Sequence, residues 1–113
     1  MLPLQNRLKK REDFAQVFSK GAYAGYGGLS IKYGKNTFSE SRIGFPIGKA
    51  FSKKATIRNR TRRILREAAM QCLKDVRPGY DIIILIKPDY QNIELMKVVT
   101  ELKKIMLKAN LII

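Results

Sequence analysis

The alternation of apolar and polar positions divides the chain into six elements. Over residues ~11–19, Phe14 and Phe18 stand four apart with Val17 beside them and Gly21 just beyond, the pattern of a short helix. Leu29, Ile31 and Tyr33 alternate with Ser30 and Lys32, the period of a half-buried strand. Ile43, Phe45 and Ile47 repeat that period, so a hairpin connection is expected between Tyr33 and Ile43. Residues ~53–75 predict a long helix, with Ser52 or Thr56 as N-cap and Arg77-Pro78-Gly79 as the stop. Asp81–Ile86 is a nearly unbroken apolar run, as for a strand covered on both faces. Over residues ~92–109, Leu95, Val99, Leu102, Ile105, Met106 and Ala109 have helical spacing, with Asn92 as the expected cap. The predicted order is α–β–β–α–β–α, an α+β sandwich of one mixed sheet carrying helices. The glycine-rich stretch Gly21–Gly28 is expected to be a loop.

Length adds that these 113 residues form one domain. A 45% hydrophobic content with ten aromatics argues against disorder. Without histidine the chain has no imidazole base, imidazole metal ligand or histidine pH switch. The single Cys72 falls among apolar positions, fits a small buried hydrophobe, and points to a reducing compartment. No apolar run approaches a membrane span, and the first residues lack the apolar core of a signal peptide, so a soluble cytoplasmic protein is expected.

Charge changes the picture most. Twenty-three Lys and Arg against nine Asp and Glu give a formal +14, which calls for a polyanionic partner rather than a membrane or a small molecule. From Ser41 to Arg66 there are nine basic residues and no acid. A second group, Arg7, Lys9, Lys10 and Arg11, precedes the first helix. On a helical wheel Ile57, Thr61, Ile64, Leu65, Ala68 and Cys72 share the arc that must face the sheet. Asn59, Arg62, Arg63 and Arg66 share the opposite arc, flanked by Arg58 and Arg60. A merely solvated face mixes signs through Glu–Lys pairs, whereas here Glu67 is the one acid between Arg42 and Asp75. Guanidinium forks donate two hydrogen bonds at once and suit phosphate.

Arg58-Asn59-Arg60 followed by Arg62-Arg63-Ile64-Leu65-Arg66-Glu67 resembles the RNR signature of the bacterial ribonuclease P protein component. Asn6-Arg7-Leu8-Lys9-Lys10 leading to Asp13-Phe14 and Val17-Phe18, then Arg42-Ile43-Gly44, then Pro78-Gly79-Tyr80-Asp81, are similar to that family in the same order and spacing, from about Asn6 to Met106. The resemblance implies a small two-layer sandwich with a mixed four-stranded sheet and a left-handed βαβ crossover. It implies that Arg58, Asn59, Arg60, Arg62, Arg63 and Arg66 dock on a catalytic RNA, and that Phe14, Phe18 and Tyr33 line a cleft for the single-stranded 5′ leader of precursor tRNA. Arg7, Lys9, Lys10, Arg11, Lys49, Lys53 and Lys54 are expected to add RNA contacts. Catalysis, with Mg²⁺ held mainly by the RNA, is expected to reside in the partner, and no metal ligand of the protein is carried over.

Without the resemblance, Phe14 and Phe18 on one helical face read first as core residues. Gly25-Tyr26-Gly27-Gly28 lacks the following Lys-Ser/Thr and helix of a phosphate loop. Asp75, Asp81 and Asp89 are the carboxylates that could approach a shared metal, although caps and turns account for them too. A structural RNA binder resembling a small ribosomal protein and a protein-only metal nuclease are the alternative readings.

Overall fold

The computed structural model describes residues 2–90 and 93–112. After a 3-10 turn at Leu4–Asn6 come α1 (Arg11–Lys20), β1 (Ala22–Tyr26), β2 (Leu29–Lys35), β3 (Arg42–Gly44), α2 (Ala55–Leu73), β4 (Tyr80–Ile86) and α3 (Leu95–Lys108). The strands form one sheet in the order β1-β2-β4-β3. Only β3 and β4 are parallel, joined through α2. The expected α+β class and mixed four-stranded sheet are therefore present.

Three strand expectations need correction. The stretch after Gly21 is not a loop: Ala22–Tyr26 pairs antiparallel with β2, from Ala22 opposite Tyr33 to Tyr26 opposite Leu29. The two-residue turn is Gly27-Gly28, with Gly27 at φ 63°, a conformation that glycine adopts without the Cβ penalty. β2 and β3 do not form a hairpin either. β4 lies between them, antiparallel to β2 and parallel to β3. β3 is also shorter than its alternation suggests, because Pro46 has no backbone N–H to extend a ladder. Ile47 still buries its side chain in the core.

The central position of β4 explains its apolar run. Ile82, Ile83 and Ile84 are all fully buried. Ile82 and Ile84 join Leu29, Ile31 and Ile43 under α2 and α3, where Leu65, Ala68, Cys72, Leu102 and Ile105 complete the main core. Ile83 faces the other way and packs with Leu8, Val17, Phe14 and Leu85, the small core beneath α1. Burying one such side chain contributes about 1.5–3 kcal/mol. Leu8 N–H donates to the Ile43 carbonyl at 3.1 Å, so the N-terminal segment covers the outer edge of β3.

Neither Ser52 nor Thr56 caps α2. Lys54 is the N-cap, and the Ser52 hydroxyl instead accepts from the Lys54 N–H at 3.2 Å. Glu94 precedes α3 as its N-cap, whereas Asn92 lies outside the described residues. No described helix is long and apolar enough to cross a membrane.

Candidate nucleic-acid interface

Helical periodicity puts the arginines of α2 on one face, but their exposure differs for a local reason. Asn59, Arg60 and Arg63 are exposed, whereas Arg58, Arg62 and Arg66 are half-buried. Arg58 Nη1 donates to the Ser52 carbonyl at 2.9 Å, and Arg62 Nη2 donates to the Ile47 carbonyl at 2.6 Å. Arg62 Nη1 also donates to Asn59 Oδ1 at 3.0 Å. Two of the arginines thus clamp the loop that brings Lys49, Lys53 and Lys54, all exposed, to the start of α2. Buried Phe51 anchors the same loop from beneath. The first turn of α2 contains no acid and no side-chain cap, so its N–H groups and positive dipole end face the same region as these cations.

Arg66 leads to the second feature. It lines an open groove of about 300 Å³ with Arg7, Lys9, Phe14, Gly44 and Phe45. The ring of Phe14 rests on Gly44, and it also contributes to the small core, so it is half-buried. Phe18 lies one turn further along α1 and is 42% exposed. Lys9, Lys10 and Arg11 are exposed at the start of α1, whereas Arg7 is half-buried, its Nε donating to the Leu2 carbonyl at 2.8 Å.

Tyr33 does not join the two phenylalanines. It has the parity of Leu29 and Ile31 and packs against the main core under α2 and α3. Successive strand residues alternate faces, so a one-residue shift in alignment moves a side chain through the sheet. Lys32 occupies the α1 face instead, and its Nζ donates to the Phe18 carbonyl at 3.2 Å. Tyr23, 62% exposed, is directly opposite Lys32 on β1 and shares that face.

An ionic cluster holds α1 against the sheet beside the groove. Arg42 Nε and Nη2 donate to the two carboxylate oxygens of Asp81 at 2.8 and 2.7 Å, and Nη1 donates to Asp13 of α1 at 3.2 Å. The Asp81 hydrogen bond raises the Arg42 pKa above the ordinary guanidinium value, so the side chain is permanently charged. Asn36 Nδ2 adds a bond to Asp81 Oδ1 at 2.9 Å, and the Arg42 guanidinium lies 4.5 Å from the centre of the Phe38 ring. Asp81 is therefore an anchor, not a turn residue. Its one sequence signal is that it is the sole acid in the β4 run. Among the described residues, no group of three carboxylate, thiol or imidazole side chains could hold a metal ion.

A family model described as Ribonuclease P matches residues 2–110. The chain is 40% identical to the ribonuclease P protein component of a Pseudanabaena species, over 99% of this chain and 97% of that one. It is 33% identical to the protein of the same description from Microcystis aeruginosa, over 98% and 96%. In structure it is similar to the ribonuclease P protein of Staphylococcus aureus, with a TM-score of 0.83 at 20% identity over 96% of this chain and 98% of that one. The ribonuclease P protein of Thermotoga maritima gives a TM-score of 0.78 at 24% identity over 90% and 96%. The chain belongs to the bacterial ribonuclease P protein component family, the protein subunit of an endoribonuclease complex.

Proposed function

We propose that this subunit holds two RNA elements in register: the catalytic RNA on the arginine face of α2, and the single-stranded 5′ leader of precursor tRNA in the groove beneath α1. Arg66 is the observation that carries this reading, because it belongs to the arginine face and also lines the groove with Phe14. Arg60 and Arg63 are free to fork onto phosphates, while Arg58, Arg62 and Asn59 brace the loop that carries Lys49, Lys53 and Lys54. Leader bases stack on Phe14 in the groove and on Phe18 one turn beyond it, and Arg7 and Lys9 in the groove, with Lys10, Arg11 and Lys32 outside it, neutralise phosphates. Stacking on an aromatic ring contributes about 1–3 kcal/mol per base.

Hydrolysis of the phosphodiester 5′ of the mature tRNA is assigned to the RNA. The Mg²⁺ of the reaction is assigned to RNA phosphates. A compartment that supplies both RNAs, the cytoplasm, goes with this reading. The test is to assay the protein on precursor tRNA with Mg²⁺, with and without a bacterial ribonuclease P RNA. Leader removal only when both subunits are present supports the proposal, and cleavage by protein alone contradicts it.

A further inference from the structure

The lysines of α3 take no part in the contacts proposed above. Lys97, Thr100, Lys104 and Lys108 recur at helical spacing on one exposed face, and the edge strand β1 runs beside it. Lys104 Nζ lies 5.0 Å from the centre of the Tyr26 ring and 3.4 Å from its hydroxyl. Lys97 Nζ lies 5.7 Å from the centre of the Tyr90 ring, and Lys108 Nζ donates to the Gly25 carbonyl at 3.4 Å. Tyr26 is 46% exposed and lines two adjoining hollows of about 400 and 570 Å³, the larger also bordered by Lys87 and Lys108.

Charge balance separates this face from an ordinary solvated helix. Its own acid is Glu101, which is buried and accepts a hydrogen bond from the Tyr90 hydroxyl. Asp89 and Glu94 are exposed in the segment before α3, and among the described residues neither forms an ion pair with these lysines. Lysines interleaved with partly open tyrosine rings are the chemistry of a strand-binding surface, with ammonium groups for phosphates and rings for bases. Tyr26 projects with Ala24 toward α3, whereas Phe14 and Lys32 occupy the opposite face of the sheet. The hollows share no lining residue with the Phe14 groove.

We infer that the α3–β1 face is a second single-stranded RNA site, with Lys87, Lys104 and Lys108 on phosphates and Tyr26 under a base. It operates independently of the leader groove. An oligouridine of about ten nucleotides, within the range one such groove covers, and carrying 4-thiouridine, is crosslinked to the full chain. Crosslinks are expected in α1 and around Tyr26. Phe14→Ala should reduce the first set alone, and Lys104→Ala with Lys108→Ala should reduce the second set alone, by about tenfold. In the Phe14→Ala background, Tyr26→Leu should weaken the oligonucleotide about tenfold and leave an RNA duplex unaffected. Absent crosslinks around Tyr26, or crosslinks that survive loss of both lysines, would overturn the second site and leave the groove untouched. Failure of Phe14→Ala to act would count only against the groove.

Discussion

The ring of Phe14 lies so close to Gly44 that a Cβ built at position 44 would stand 2.6 Å from Phe14 Cζ and 3.1 Å from the Leu8 carbonyl oxygen. The backbone contact cannot yield, so Gly44→Ala must move the ring. Overpacking of this kind costs about 1–3 kcal/mol. Denaturant midpoints should fall accordingly, and affinity for leader-bearing RNA should fall with them. A variant as stable as the parent, with unchanged leader affinity, would mean that the ring has another seat.

Arg42 and Asp81 make the second test. Their side chains are only 15% and 9% exposed, and their paired bonds, with Asp13, fasten α1 to the sheet. Asp81→Asn keeps the shape and removes the charge opposite a permanent cation. Losing one partner of a buried pair costs about 3–5 kcal/mol, and the remaining contact to Asp13 lowers this to about 2–3 kcal/mol. Urea unfolding measures it directly, and a loss below about 0.5 kcal/mol, the range of ordinary surface changes, would contradict the anchoring role.

Arg62 and Arg63 are adjacent in sequence yet differ in commitment. Arg63 is exposed, so Arg63→Ala should weaken binding of the catalytic RNA and reduce the log–log salt slope by about one unit, as for one lost phosphate contact. Arg62 holds the Ile47 carbonyl, so Arg62→Ala should also lower the melting temperature by releasing the loop. Equal thermal stability of the two variants would remove the distinction.

Alkaline pH provides a test of packing. Burial pushes the Cys72 thiol from its ordinary 9.0 up to about 11. Burial, and then the hydrogen bond to Glu101, raises the Tyr90 hydroxyl from 10.0 to about 12. Both groups hold their proton more tightly when folded. The stability they contribute is full below pH 9 and 10, respectively, and is lost as pH rises toward the folded values. For Cys72 the loss is about 2–3 kcal/mol over that interval. The stability gap between the parent and Cys72→Ala, measured by denaturation, should therefore narrow from pH 8.5 to about 10.5. A gap constant over this range would show that the thiol is not held neutral by burial.

The local elements were legible in the sequence because helical and strand periods are local signals. α1, α2, β2 and β4 lie within a few residues of their predicted bounds. The strand β1 was not, because Gly25, Gly27 and Gly28 have loop chemistry, and only pairing with β2 and burial of Ala24 make the segment a strand. The partners of β3 were hidden for a similar reason: its parallel ladder joins residues separated by the whole of α2. In the site, composition and the wheel pointed to the arginine face, whereas the two phenylalanines were singled out only through the family resemblance. None of these signals could show that Arg62 and Asn59 bond each other, or that Lys32 rather than Tyr33 looks toward α1. Such facts depend on which way a side chain leaves the backbone once distant segments have met.

In the proposed function the groove under α1 reads the leader while the arginine face serves the catalytic RNA. Affinity of the reconstituted complex for precursor tRNA with and without its leader, compared between the parent and Phe14→Ala, tests it most directly. Phe14→Ala is expected to cost about 1–3 kcal/mol for the leader-bearing substrate, with almost no change for leaderless tRNA. An equal loss on both substrates would contradict it.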